Sequence, residues 1–183
     1  LGGGREAGLA MIEALAGKAG KVGILDLKQV ESCILRVKGF KEVIDKHNAE
    51  KPDAKIEVVS ELDGGGAKDQ GFKATEDMLQ AQPGMRAIFA INDPSALGAR
   101  AAIEKAGLAD KMVIIGFDGQ PEGKQAIKDG KIYADPIQFP EKMGVEIARA
   151  IVRHSKGESL PAQTLIPTAL YRKADAMGDK TLR

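Results

Sequence analysis

Short apolar runs alternate with amphipathic helical segments along most of this 183-residue chain. The apolar runs have the length of buried strands, and the segments between them carry apolar residues at helical spacing. Predicted strands cover residues 21–25, 55–60, 87–91, 112–117 and 132–138, and predicted helices cover residues 5–16, 30–48, 67–81, 94–106, 121–129 and 141–154. Such alternation is typical of a parallel sheet with right-handed crossovers. The predicted fold class is therefore α/β, a doubly wound parallel sheet with helices on both faces.

Composition restricts the classes of function that the chain can have. Its 27 basic and 26 acidic residues give a formal charge of +1 without blocks of like charge, so we expect no nucleic-acid partner. The apolar runs are too short for a membrane span. The single cysteine, Cys33, excludes an internal disulfide and argues against a cysteine-built zinc site. His47 and His154 lack metal-ligand partners at suitable spacing, so we expect neither a metal nor a cofactor.

Polar residues occur where the predicted strands end. Arg36 lies in the helix after the first strand, Asn92 follows the third, Asp118 follows the fourth and Gln138 ends the fifth. In an open parallel sheet, ligands bind in the crevice beyond the carboxyl ends of the strands. Carboxylate, amide and guanidinium groups together can accept from and donate to adjacent hydroxyls. We therefore predict a binding site for a neutral polyol such as a sugar, without catalytic residues.

Each of these residues also has a purely structural interpretation. Asn and Asp before a helix commonly cap its free backbone N–H groups. Capping is favoured for Asp93, whereas Asn92 and Asp118 are equally compatible with capping and with ligand binding. Taken alone, Arg36 is better interpreted as an ordinary helix-surface arginine, and Gln138 is compatible with a hinge position.

Four segments of the chain, in the correct order, resemble one known family. Ser32–Phe40 resembles its Ser-x-x-x-Arg-x-x-Gly-Phe segment, and Phe89–Gly98 is similar to its Asn-Asp-x-x-Ala-Leu-Gly segment. Gly116–Gly119, followed by Ala126–Gly130, resembles the third segment, and Gln138–Gly144 resembles the last. The family is the periplasmic sugar-binding proteins of bacterial ABC transporters, the ribose-binding-like group of type I solute-binding proteins.

The resemblance implies a binding function for the residues at the strand ends. Arg36, Asn92, Asp118 and Gln138 match family positions that hydrogen-bond a monosaccharide or similar polyol between two closing lobes. It implies a periplasmic protein, not an enzyme, that presents its sugar to an ABC transporter permease in the inner membrane. The chain departs from the family at Gly66, where many members place an aromatic residue against the sugar ring. The identity of the sugar therefore stays open.

The resemblance also predicts how the chain is divided. Residues 1–138 are expected to form the Rossmann-like C-terminal lobe, 139–163 to cross to the N-terminal lobe, and 164–183 to form a return strand and a tail. Independently of the resemblance, the polar and weakly patterned sequence from Arg172 predicts a loose terminus. Because the sequence starts in a helix without an initiator Met or a signal segment, we expect a fragment that lacks most of the N-terminal lobe. The missing lobe or a neighbouring chain would then cover the helix at residues 141–154.

Two other functions are compatible with parts of the sequence. The ligand-sensing core of a lactose-repressor-type transcription regulator is the main alternative, but Phe117-Asp118-Gly119 favours transport proteins because the repressors often carry a second Asp. A nucleotide-using α/β enzyme is disfavoured, since Gly64-Gly65-Gly66 is not followed by the Lys-Ser/Thr of a phosphate loop. We interpret that glycine run as a flexible turn.

Overall fold

Six strands and seven α-helices alternate along the chain in a computed structural model that describes residues 1–183. The strands are β1 (Gly20–Asp26), β2 (Ile56–Asp63), β3 (Met85–Ala90), β4 (Val113–Ile115), β5 (Ala134–Ile137) and β6 (Ala169–Arg172). The helices are α1 (Gly2–Ala14), α2 (Glu31–Glu50), α3 (Lys68–Ala81), α4 (Asp93–Lys105), α5 (Pro121–Lys128), α6 (Pro140–Ser155) and α7 (Lys173–Gly178), with a 3₁₀ turn at Pro52–Ala54. None of these helices has both the length and the apolar character needed to cross a membrane.

The six strands form one sheet in the order β2-β1-β3-β4-β5-β6. The first five are parallel, and β6 runs antiparallel to β5 with Tyr171 opposite Asp135. Because β1 lies between β2 and β3, the strand order reverses there, and ligand crevices in such sheets open at this switch point.

Helices cover both faces of the sheet, which confirms the predicted fold class. Alternate residues of β3 point to opposite faces, so Phe89 packs under α1 and α2 whereas Ile88 packs under α3, α4 and α5. Each face has a core of 17 buried residues. On the first face, the rings of Phe40 and Phe89 stack with their centroids 4.6 Å apart.

One glycine in α1 and one in α2 let these two helices lie directly against each other. A Cβ atom on Gly4 would overlap the backbone carbonyl of Arg36, and one on Gly39 would overlap the carbonyl of Leu1. Since only glycine permits such a close approach of two backbones, this contact fixes the position of α2. It thereby fixes the backbone from which the Arg36 side chain extends.

The prediction of a loose tail from Arg172 is wrong for the residues of α7. Ala176 is fully buried, and the Asp175 carboxylate accepts the Arg172 backbone N–H at 2.8 Å at the start of this helix. The Tyr171 hydroxyl also donates to Asp179 at 3.0 Å. These polar contacts hold a helix of six residues that is too short to show hydrophobic periodicity.

Helix α6 contrasts with the other long helices because none of its residues is buried. Its apolar side chains Val145, Ile147, Ile151 and Val152 are between 49% and 64% exposed. The predicted division of the chain after residues 138 and 163 assumes a second lobe, and it stays a prediction.

Candidate functional site

Arg36, Asp118 and Gln138 form one hydrogen-bonded cluster at the carboxyl edge of the sheet. Oδ1 of Asp118 accepts from Nη1 of Arg36 at 2.9 Å and from Nε2 of Gln138 at 2.6 Å. The Arg36 guanidinium carbon lies 3.9 Å from the centroid of the Phe117 ring, a cation–π contact. The side chains of Arg36 and Asp118 are only 10% and 18% exposed. The cluster therefore holds two opposite charges in fixed positions with little water around them.

Asn92 adjoins this cluster through the backbone of Ile91. Nη1 of Arg36 also donates to the Ile91 carbonyl. Oδ1 of Asn92 accepts the Ser95 N–H at 3.1 Å, and Nδ2 of Asn92 donates to the Gly66 carbonyl at 3.0 Å. The structure thus brings all four predicted residues to one edge of the sheet, with Asn92 connecting α4 to the glycine turn.

The backbone at Asp118 has an unusual conformation that aims its side chain at Arg36. Its φ angle is +100°, in a region that non-glycine residues rarely adopt, and Gly119 follows with a φ of +77°. Two backbone hydrogen bonds hold the turn against β5, from the Asp118 N–H to Pro136 at 3.1 Å and from the Gln138 N–H to Asp118 at 2.9 Å. Such strained positions persist only where the surrounding contacts fix them, and they cluster at functional sites.

Two interpretations made from local sequence are wrong. Arg36 is not a helix-surface arginine, because the contacts with Asp118, Phe117 and Ile91 bury it. Asp93 does not cap α4: Asn92 is the cap, and Asp93 lies buried in the first turn of that helix. Its Oδ2 instead accepts the backbone N–H of Gln120 at 2.6 Å, and burial raises the pKa of Asp93 to about 6.

The glycine turn lies beside Asn92. Gly65 and Gly66 have φ angles of +60° and +66°, which favour glycine. A Cβ atom on Gly66 would lie 3.3 Å from Nδ2 of Asn92 and 3.3 Å from a methyl carbon of Leu27. The turn therefore brings a backbone without side chains to the edge of the candidate site.

Two residues at or behind the site were absent from the predicted set. Phe117 supports the Arg36 guanidinium, and Asp135 is completely buried in β5. The signal for Asp135 was present in the sequence, since a carboxylate inside an otherwise apolar strand must find a compensating partner. No group of three or more His, Cys, Asp or Glu side chains is arranged to hold a metal ion.

Comparison with known proteins gives matches over most of the chain. The profile of the periplasmic binding protein domain matches residues 2–159. The ribose import binding protein of Salmonella typhimurium is 34% identical over 138 residues, which are 75% of this chain and 44% of that protein. The D-apiose import binding protein of Paraburkholderia graminis is 28% identical over 171 residues, which are 92% of this chain and 53% of that protein.

A solved structure has the same fold. An ABC transporter periplasmic solute binding protein from Actinobacillus succinogenes, crystallised with bound D-allose, superimposes with a TM-score of 0.87 at 28% identity. The match covers 97% of this chain and 61% of that chain. The present chain spans about half the length of the curated relatives, 44% and 53% of the two named above.

Proposed function

Because this chain belongs to the periplasmic binding protein domain family, we propose that it is the solute-binding component of an ABC-type sugar importer. Its ligand is a monosaccharide or similar polyol. The observation that carries the proposal is the cluster of Arg36, Asp118 and Gln138 at the edge of the sheet, next to Asn92. The curated relatives, which are named as ribose and D-apiose import binding proteins, support the same ligand class.

The chemistry of the cluster suits a ring with several hydroxyl groups. Both hydrogen bonds to Asp118 use Oδ1, so we assign Oδ2 to a sugar hydroxyl. The guanidinium of Arg36 has five N–H donors in a fixed plane, and Gln138 has a side-chain oxygen that accepts. Because these groups are held in place before the ligand arrives, little ordering free energy is lost on binding. Nothing in this set acts as a nucleophile paired with a base, so the sugar leaves chemically unchanged and we propose no enzyme activity.

Transport requires a second surface and a membrane partner. We propose that a second lobe closes over the sugar and that ligand contacts from both sides favour the closed state. An ABC transporter permease in the inner membrane then accepts the sugar from the closed form in the periplasm. The exposed apolar side of α6 is covered in this arrangement by the N-terminal lobe or by a neighbouring chain. A lactose-repressor-type regulator is not favoured, since the curated relatives are import binding proteins.

Calorimetric titration of the full-length protein tests the binding function. D-ribose, D-allose, D-apiose, L-arabinose and ATP are titrated separately. We expect saturable 1:1 binding of at least one sugar and none of ATP. Asp118→Ala should weaken that binding by about 10- to 100-fold, because a buried hydroxyl loses a charged acceptor. Asp77→Ala, which changes an exposed aspartate of α3, is the matched control and should bind as the wild type does. Folded protein that binds none of the sugars, or an Asp118→Ala variant with unchanged affinity, would contradict the proposal.

A further inference from the structure

Asp93 and Asp135 form a pair of buried carboxyl groups behind the turn that carries Asp118. Both residues are completely buried, Asp93 in the first turn of α4 and Asp135 in β5. Among charged groups, the Asp93 carboxylate has the largest effect on Asp135 and raises its pKa. Oδ1 of Asp93 and both side-chain oxygens of Asp135 have no partner with hydrogen-bond geometry, although the backbone N–H groups of Gly119 and Gly116 are close enough to oppose the rise in the pKa of Asp93 and of Asp135, respectively. Three buried acceptors without a donor call for a physical explanation.

A proton shared by the two carboxyl groups would supply the missing donor. Two adjacent carboxylates cannot both be charged in an apolar interior, because burial and mutual repulsion both disfavour the second charge. One proton between them turns one group into a donor and leaves the other as its acceptor. Burial raises the pKa of Asp93 to about 6, and burial together with the Asp93 carboxylate raises the pKa of Asp135 well above its usual value.

The charged groups around the pair do not supply the missing donor. Asp118 adds a further negative charge and raises the pKa of both members. Tyr171 lies opposite Asp135 on β6, but its hydroxyl donates to Asp179. Lys124 does not supply it either, since its ammonium lies over the Tyr171 ring, 5.1 Å from the ring centroid, and forms no hydrogen bond with these oxygens.

The pair is in direct contact with the turn at residues 118–120. Oδ2 of Asp93 accepts the Gln120 N–H at 2.6 Å. Gly116, just before the turn, has no room for a Cβ because Oδ1 of Asp135 occupies that space, and Gly123 is packed in the same way against the Asp93 carboxyl group. A change in charge or position of either carboxyl group therefore acts on the backbone that holds Asp118.

We propose that Asp93 and Asp135 share one proton as a buried acid pair and that this pair positions the turn of Asp118. Loss of the proton loosens the turn. The consequence for ligand affinity rests on the sugar-binding function proposed above, but the acid pair itself does not.

Infrared difference spectroscopy of the full-length protein tests the shared proton. At pH 7 we expect the carbonyl stretch of a protonated carboxylic acid in the wild type and its loss in Asp135→Asn. The introduced amide then donates to Asp93, so this variant keeps its fold. Wild-type and variant spectra without this difference would overturn the shared proton.

The pH dependence of the melting temperature is an independent test, because a purely structural role of the pair would not change this dependence. Both pKa values are raised in the folded protein, so the protonated pair stabilises the fold fully at a pH below about 4, the pKa of an aspartate in the unfolded chain. This contribution is lost as the pH rises through about 6 and above. The melting temperature of Asp135→Asn should therefore rise relative to the wild type as the pH increases from about 4 to 8. Asp77→Asn, at an exposed site, should follow the wild type. A difference between Asp135→Asn and the wild type that stays constant with pH would overturn the proposal.

Hydrogen exchange at the Gln120 amide tests the positioning role without any sugar. Asp93→Ala should accelerate this exchange, whereas Asp93→Asn, whose side-chain oxygen still accepts, should leave it near the wild-type rate. Equal rates in all three proteins would overturn the positioning role. With D-ribose and D-allose as probes, Asp93→Ala should also lose affinity by about 10-fold and Asp93→Asn should not. If the wild type binds neither sugar nor any other in the panel, the sugar-binding proposal fails while the exchange, infrared and melting results still decide the acid pair.

Discussion

Arg36 donates to Asp118 across 2.9 Å and so connects helix α2 to the turn that follows β4. The same guanidinium donates to the backbone carbonyl of Ile91 and lies on the ring of Phe117. One buried side chain therefore ties α2, the end of β3 and the turn after β4 to each other.

Removing the Arg36 side chain should destabilise the protein strongly. Arg36→Ala leaves the mostly buried Asp118 without its counter-charge, and we expect the free energy of unfolding to fall by about 3 kcal/mol. The matched control is Arg149→Ala, which breaks an exposed ion pair with Glu146 and should change the free energy by less than about 0.5 kcal/mol. Urea denaturation of the two variants measures both values. Similar small losses in both would contradict the structural role of Arg36.

Substitutions of Asn92 should separate its capping role from the ligand-binding role proposed for it. Asn92→Ala loses the cap and should cost about 1 kcal/mol of folding free energy. Asn92→Asp should lose less stability, since a carboxylate oxygen can still accept the Ser95 N–H. Both variants lose the Nδ2 donor, so both should bind sugar more weakly in calorimetric titration. If Asn92→Asp binds sugar with wild-type affinity, Asn92 acts only as the cap of α4.

Alanine at two glycines should have opposite effects on stability. Gly66 has a φ of +66° and little free space, so Gly66→Ala should lower the free energy of unfolding by about 1 kcal/mol. Gly144 lies inside α6, and no atom lies within 4 Å of the position that a Cβ would take, so Gly144→Ala should raise it by about 0.5 to 1 kcal/mol. Thermal or urea unfolding measures the two changes. The same sign for both would contradict the described backbone at one of the positions.

The apolar side of α6 should be covered in the full-length protein. Ile151 is 64% exposed in the present chain, whose single cysteine, Cys33, is buried. A thiol reagent should therefore label Ile151→Cys much more slowly than the control Asp77→Cys. Protection that is independent of protein concentration indicates the second lobe, and protection that grows with concentration indicates a neighbouring chain. Labelling at the rate of the control at every concentration would exclude both covers.

Local patterns in the sequence were sufficient to predict the sheet and the edge at which polar residues meet. The predicted strand at residues 87–91 and helix at 94–106 correspond closely to β3 (Met85–Ala90) and α4 (Asp93–Lys105), because apolar periodicity and a helix-initial proline are local signals. The meeting of Arg36, Asp118 and Gln138 follows from the parallel order of the strands.

Features that depend on distant contacts could not be predicted in this way. Adjacent Asn92 and Asp93 are both good caps, and only the exact start of α4 decides between them. The burial of Arg36 depends on Phe117, which is far away in sequence. The effect of Asp93 on Asp135 joins residues that are 42 positions apart in the sequence, and no periodicity reveals it.

A crystal structure of the full-length protein, grown with the sugar that binds most tightly in the titrations, tests the central claim most directly. We predict that the sugar hydroxyls lie within hydrogen-bonding distance of Arg36, Asn92, Asp118 and Gln138. A sugar bound elsewhere and in contact with none of these four side chains would contradict the account.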